Sequence, residues 1–126
     1  MTIAPEHAVV WAEIPVSDLT KSTAFYEAVT GRSLAPEESG PNPMAMFTVA
    51  DSATGVAGHL YPGRPAAGGA GPTVHLAVAG TVEEATERCR QAGGTVTGPI
   101  ITIPAGRFQY ATDLDGNSIG LFEPVA

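Results

Sequence analysis

The sequence has little cysteine, few basic residues and no long apolar run. Cys89 is the only cysteine among 126 residues, which excludes an intrachain disulfide and a zinc site built from several cysteines. Six basic residues stand against 13 acidic ones, giving a formal net charge of −7 without a basic cluster. That balance argues against nucleic acid and anionic membranes as partners.

Membrane and export signals are also missing. No apolar run approaches the roughly 18 residues of a membrane span. The first residues, MTIAPE, lack the basic start and apolar stretch of a secretion signal. The sequence therefore predicts a soluble cytoplasmic protein with no membrane partner.

What the sequence does contain is one order of elements that occurs twice. Residues 8–16 are rich in strand formers, and Asp18 offers a helix N-cap for a stripe of apolar residues that ends at Gly31. Short apolar runs at 44–50 and 55–61 predict further strands. The stretch 36–43 is rich in proline and glycine, and we expect it to be irregular.

The second half repeats this order after a Gly/Pro/Ala-rich linker at 63–71. A strand at 73–78 leads to a capping box over Thr81–Glu84, and a helix with Cys89 on its apolar side stops at Gly93. Strand-like runs follow at 95–103, 107–112 and 118–122, the last after a turn formed by Asp113 and Asp115.

A constant offset of 62 residues superposes the two halves. It pairs Ile14 with Leu76, Gly31 with Gly93, and the turn at Asp51 with that at Asp113. Matched positions are strand centres, helix stops and turns. The pattern predicts two β-α-β-β-β modules in one domain, at 7–62 and 72–124.

Two stretches resemble a known superfamily. Residues Trp11–Tyr26 (WAEIPVSDLTKSTAFY) are similar to the opening strand and helix of the vicinal oxygen chelate superfamily, which includes glyoxalase I, bleomycin-resistance proteins and extradiol dioxygenases. Residues Asp113–Phe122 (DLDGNSIGLF) are similar to its closing turn and strand, with Leu114 where proline is usual. The resemblance implies an α+β fold of two βαβββ modules whose sheets form a cup, either within one chain or in a domain-swapped homodimer.

The resemblance also locates the metal ligands that enzymes of the superfamily use. Transferred one at a time, these positions fall on Trp11, Thr73, Gly120, and either Gly58 or His59. Indole and glycine cannot ligate a metal ion, whereas a catalytic site needs about three protein ligands. We therefore expect no metal cofactor.

Strand alternation predicts which side chains line the cup. Trp11 and Glu13 share one face, and Thr73 and His75 share the equivalent face of the second module. The 62-residue offset and the cost of burying imidazole disagree about His59 and Tyr61, and we favour placing both in the cup. On the strand at 107–112 either alternate set of side chains could line it. The predicted ligand-binding residues are Trp11, Glu13, His59, Tyr61, Thr73, His75, Arg107, Tyr110, Gly120 and Phe122.

These residues support several functions. The leading hypothesis is metal-independent binding of a small, mostly apolar organic molecule, for sequestration or carriage as in bleomycin-resistance relatives. The alternative is a glyoxalase-like lyase or isomerase in which Glu13 and His75 act as catalytic acid–base groups, with or without a divalent metal. A displaced metal triad of Glu13, His59 and His75, and a dimeric structural module with a filled cup, are the other possibilities.

Overall fold

The computed structural model of the chain describes residue 9 and residues 11–38, 42–51 and 55–125. These residues form the predicted α+β fold of two βαβββ units. The start of the first predicted module at residue 7 and most of the predicted turn at 51–55 lie outside the described residues.

The first unit forms a four-stranded sheet in the order β1-β4-β3-β2. The first strand pairs in parallel with the last, and the other pairs are antiparallel. Its elements are β1 (Trp11–Val16), α1 (Leu19–Thr30), β2 (Leu34–Glu37), β3 (Met44–Phe47) and β4 (Ala57–Pro62).

The second unit repeats this arrangement in the order β5-β8-β7-β6. Again the first and last strands are parallel and the rest antiparallel. Its elements are β5 (Val74–Ala77), α2 (Val82–Gln91), β6 (Thr95–Ile103), β7 (Gly106–Thr112) and β8 (Ser118–Pro124).

Both helices begin at the predicted caps. The Asp18 side chain accepts a hydrogen bond from the Lys21 N–H, and Thr81 and Glu84 form a reciprocal capping box at α2. Helix α1 ends at Gly31, whose φ of 73° favours glycine. No helix among the described residues is long and apolar enough to cross a membrane.

A single apolar core joins the two units. Strand alternation turns Ile14, Leu60, Ile119 and Leu121 toward the helices, where each is at most 3% exposed. Cys89 lies in the same core, as predicted, and burial raises the pKa of its thiol to about 11. The other face of each sheet carries neither of the two described helices and is called the open face below.

The prediction of an irregular stretch over 36–43 is wrong at its start. Pro36 and Glu37 lie in the strand β2. The sheet tolerates a proline there because β2 is an edge strand, whose outer side needs no donor.

The internal repeat slips by one residue at the last strand of each unit. Leu60 pairs with Ile14 and Leu121 pairs with Leu76, so β4 and β8 correspond at an offset of 61 rather than 62. The slip makes His59, and not Gly58, the counterpart of Gly120. It also turns His59 to the open face, as the hydrogen-bonding argument predicted.

The turn that starts at Asp113 ties the two units together. Its carboxylate accepts hydrogen bonds from the backbone N–H groups of Asp115 and Asn117 within the turn, and from the Tyr26 hydroxyl of α1 at 2.6 Å. Ser17, just before α1, hydrogen-bonds to the Asp115 carboxylate. Burial is the main cause that raises the pKa of Tyr26 well above its ordinary value, and the Asp113 carboxylate is the second. The Tyr26 hydroxyl therefore stays protonated and remains a donor.

The two strands at the junction of the units, β1 and β5, are edge strands that do not pair with each other. A side chain from the opposite unit caps each free edge instead. The Asn117 amide donates to the Pro15 carbonyl at 2.8 Å, and the Arg32 guanidinium donates to the Ala77 carbonyl at 3.1 Å. A gap is therefore left between the two edges.

Asp113→Ala is expected to lower the free energy of unfolding by about 2–4 kcal/mol, because it leaves the buried Tyr26 hydroxyl without an acceptor and the Asn117 amide with the Pro15 carbonyl alone. Tyr26→Phe removes only one donor and should cost less, about 1–2 kcal/mol. Urea unfolding monitored by tryptophan fluorescence measures both. A loss below about 0.5 kcal/mol for Asp113→Ala would contradict the role given to this turn.

Candidate functional site

The open face of the first sheet carries three side chains in contact, those of Trp11, His59 and Glu13. The Trp11 indole N–H donates to His59 Nδ1 at 3.0 Å, and His59 Nε2 lies 3.3 Å from Glu13 Oε1. The His59 ring also contacts Tyr61, with ring centroids 6.0 Å apart. The β1–β4 register explains the contact, since it places Glu13 directly beside His59.

This geometry fixes the tautomer of His59. Indole nitrogen can only donate, so Nδ1 must be the unprotonated acceptor, and the ring proton sits on Nε2, facing the carboxylate. The imidazole is largely buried, with a side chain 11% exposed, while the Glu13 side chain is 65% exposed. Both ring nitrogens of His59 are thus engaged.

The open face of the second sheet carries a cluster of rings around His75. The imidazole meets Phe108 edge-on at a centroid distance of 4.9 Å, and Tyr110 and Phe122 lie 5.8 and 6.0 Å away. Phe108 and Phe122 stack in parallel at 5.9 Å. Desolvation lowers the pKa of His75, which keeps the ring neutral at pH 7.

The absence of a side chain at Gly120 allows the His75 ring to pack over the neighbouring strand β8. The two residues are paired neighbours on β5 and β8, and a Cβ at position 120 would come within 2.1 Å of His75 Nδ1. A side chain there would push the imidazole away. The missing side chain at Gly120, one of the transferred ligand positions, therefore leaves the space that the His75 ring occupies.

A cleft of about 370 Å³ lies at the gap between β1 and β5, and we call it the edge cleft. Trp11 lines one side and His75 the other, so the cleft joins the two open faces. Most of its described lining is aliphatic or aromatic, and its polar side chains are Arg32 and His75. The lining residues are Val9, Trp11, Ala12, Arg32, Phe47, Val49, Val56, Ala57, Gly58, Val74, His75, Leu76 and Ala77.

A second cleft of about 240 Å³ adjoins it on the linker side. Glu13 lies in this cleft together with Arg64 of the linker and Ser118 of β8. Glu13 and His75 therefore line different clefts, and no hydrogen bond or ion pair joins them in the part of the chain that the structure describes. The acid–base pairing of these two residues, and the lyase or isomerase chemistry it would serve, stay predictions.

The remaining predicted residues are placed as follows. Tyr110 and Phe122 surround His75, and the Thr73 hydroxyl is hydrogen-bonded to that of Ser118. Arg107 lies on the helix side, where its guanidinium binds the carboxylates of Glu83 and Glu123. These two carboxylates raise the pKa of Arg107 and occupy its donors, which makes it a poor anion receptor.

Sequence reasoning missed Arg32. Arg32 follows the C-cap of α1, where neither a helical nor a strand pattern predicts the direction of a side chain. It comes to the edge cleft only when the two units pack together. The backbone turn at Gly31, which the sequence does predict, is what directs the chain there.

The superfamily's metal does not fit the side chains at the four transferred positions. Trp11 donates rather than accepts, Gly120 has no side chain, and the Thr73 hydroxyl is shared with Ser118. His59 is the one ligand-type residue at these positions, and its Nδ1 already accepts a hydrogen bond from the Trp11 indole. Among the described residues, no three His, Cys, Asp or Glu side chains converge in a way that could hold a metal ion.

Residues 7–121 match the family model of the Glyoxalase/Bleomycin resistance protein/Dioxygenase superfamily, and the chain belongs to that superfamily. No curated protein matches the chain.

Solved structures show the same fold. The chain is similar to the antibiotic binding protein TnmS3 from Streptomyces sp. CB03234, with 26% identity, a TM-score of 0.63, and coverage of 98% of this chain and 100% of that one. A glyoxalase/bleomycin resistance protein from Albidiferax ferrireducens T118 has 20% identity and a TM-score of 0.70. That match covers 94% of this chain and 100% of the other. A glyoxalase I mutant from Zea mays has 23% identity and a TM-score of 0.69. That match covers 90% of this chain but 45% of the maize chain.

The packing of His75 over Gly120 predicts a pH dependence. Desolvation lowers the folded-state pKa of His75 below its ordinary 6.5, so the unfolded chain binds the proton more tightly. The contribution of His75 to stability should therefore decrease as the pH falls below 6.5. His75 is partly exposed already, and Gly120→Ala should move its ring away from Phe108 and further into solvent, return its pKa toward 6.5 and weaken that dependence.

An NMR titration of the His75 ring protons measures this pKa directly. Ala24→Leu is the control, because it adds side-chain atoms at an exposed position of α1, on the helix side of the first sheet. If the pKa of His75 were the same in wild type and Gly120→Ala, the packing described here would be wrong.

Proposed function

We propose that this protein binds a small, mostly apolar organic molecule in the edge cleft without the help of a metal ion. The observation that carries the proposal is the joint lining of one apolar cleft by Trp11 and His75. Its volume of about 370 Å³ falls within the range of about 300–1,000 Å³ usual for small-molecule sites. The indole and the flanking valines offer apolar surface, and the neutral imidazole offers a hydrogen bond.

Metal independence is supported by the chemistry of the donors. A divalent ion at the transferred positions would have to break the Trp11–His59 hydrogen bond and displace the His75 ring from Gly120. In return it would gain the one imidazole that these positions hold, that of His59, and the neighbouring carboxylate of Glu13. That is fewer than the three protein ligands usual in catalytic zinc sites.

Similarity to an antibiotic binding protein supports a role in sequestration or carriage. TnmS3 shares 26% of its residues with this chain over nearly the full length of both. Binding proteins of this kind need a shaped apolar cavity and no reacting group, and the edge cleft meets that description.

The proposal can be tested with N-phenyl-1-naphthylamine, an uncharged aromatic probe whose fluorescence rises in apolar surroundings. We expect saturable binding of the probe, with energy transfer from Trp11, the only tryptophan in the chain. Ala77→Phe places a ring in the edge cleft and should weaken binding by about tenfold or more, since it removes most of the free volume.

Ala24→Phe is the matched control, because Ala24 is exposed on α1, on the helix side of the sheet and away from the cleft. It should change affinity by less than about twofold. The proposal fails if the probe does not bind saturably, or if the two variants weaken binding equally.

We further propose that the protein is a homodimer in which a second copy covers the open faces. Trp11 is 44% exposed and Tyr110 is 39% exposed, and both belong to aromatic groups on these faces. Large exposed aromatic surfaces of this kind are typical of protein interfaces. A second copy would also shield a ligand in the edge cleft from water.

Sedimentation equilibrium should give twice the 12.8 kDa mass of one chain. Tyr110→Lys puts a charge into the aromatic group and should raise the dimer dissociation constant by about tenfold or more. Gln91→Lys, on the exposed side of α2, should have no effect. A wild-type mass of 12.8 kDa at millimolar concentration would refute the dimer.

A further inference from the structure

We infer that the molecule bound in the edge cleft carries one anionic group, a carboxylate or a sulfonate, and that Arg32 receives it. The inference rests on the proposed function and adds the charge of the ligand to it. It comes from the position of Arg32 and from the partners its guanidinium has.

The guanidinium of Arg32 is bound to neutral groups only. Nη1 donates to the Thr48 carbonyl at 2.8 Å, and Nη2 donates to the Ala77 carbonyl at 3.1 Å. A guanidinium has five N–H donors, so three of them are not used by these contacts. No ion pair of Arg32 with a carboxylate occurs among the described residues, whereas Arg107 has two such pairs.

The two carbonyl contacts also hold the guanidinium in place. Thr48 follows β3 of the first unit and Ala77 ends β5 of the second, so Arg32 bridges the two units beside the cleft. A side chain already fixed in this way loses little conformational entropy when a ligand binds. Its planar fork of donors matches the two oxygens of a carboxylate.

The surroundings favour an anion over a cation. No acidic side chain occurs in the described lining of the edge cleft, and Glu13 lies in the neighbouring cleft beside His59. The pKa of His75 is lowered, so its imidazole adds no positive charge at pH 7. Arg32 is thus the charged group of the described lining, and its apolar neighbours strengthen a charge-assisted hydrogen bond.

Two probes that differ in one group test the inference. 8-Anilinonaphthalene-1-sulfonate has the ring system of N-phenyl-1-naphthylamine with a sulfonate added. Wild-type protein should bind the sulfonate probe more tightly than the uncharged one, despite the net charge of −7. Arg32→Gln should lower that preference by about tenfold or more, while affinity for the uncharged probe changes by less than about threefold.

Arg64→Gln is the matched control, because Arg64 is an exposed arginine that lines the neighbouring cleft. It removes the same charge from the protein and should leave the preference for the sulfonate unchanged. Octanoate should compete with the sulfonate probe, and octanamide should compete at least about tenfold less well.

The outcomes separate the inference from the proposed function. Saturable binding of the uncharged probe with no preference for the sulfonate overturns the inference and leaves the apolar site intact. An equal loss for both probes in Arg32→Gln also overturns it, because Arg32 would then act only as a bridge between the units. Failure of both probes to bind to wild-type protein overturns the proposed function and this inference together.

Discussion

The structure depends on two edge strands that face each other without pairing. If β1 and β5 were hydrogen-bonded to each other, the two sheets would be continuous and the gap between them would close. Instead, Asn117 and Arg32 satisfy the Pro15 and Ala77 carbonyls, each from the opposite unit. Side-chain donors thus replace a strand ladder, and the edge cleft is the space that this replacement leaves.

The open faces show how a shared fold can carry a different site. At the ligand positions transferred from the resemblance, this chain has an indole that donates to an imidazole, and a glycine covered by another imidazole. Both arrangements are satisfied without an ion, since each polar atom has a partner or is exposed. Among the described residues, no buried side-chain nitrogen or oxygen lacks a hydrogen bond. Such a face is suited to hold an organic molecule by shape and apolar contact.

Much of the fold could be predicted from the sequence because its signals are local. Caps at Asp18 and Thr81, the stop at Gly31 and the alternation along β1 each depend on a few neighbouring residues, and the structure bears them out. The prediction for Pro36 was wrong because a strand can contain proline when it lies at the edge of a sheet. Whether β2 lies at the edge is a property of the whole sheet and not of the neighbouring residues. The slip that separates His59 from Gly58 was foreseeable only from the cost of burying imidazole.

The candidate site was less predictable, since its contacts join residues far apart in the chain. Trp11 and His59 are 48 positions apart in the sequence, and Arg32 and Ala77, which are also hydrogen-bonded, are 45 positions apart. Strand alternation could place Trp11 and His75 on the right faces, but it could not decide the face of His59, pair Glu13 with His59 or bring Arg32 to the cleft. Arg107 was an attractive cation in the sequence, and only the folded chain shows the two carboxylates that occupy it.

The central claim is that the Trp11 indole and its neighbours respond to an organic molecule and not to a metal ion. The indole N–H gives a single resonance in a ¹⁵N-edited NMR spectrum, because the chain has one tryptophan. Adding N-phenyl-1-naphthylamine should shift this resonance, whereas one equivalent of zinc at pH 7 should leave it in place. A zinc-induced shift would contradict the claim, because it would mean that His59 Nδ1 had exchanged its hydrogen bond from the indole for the metal.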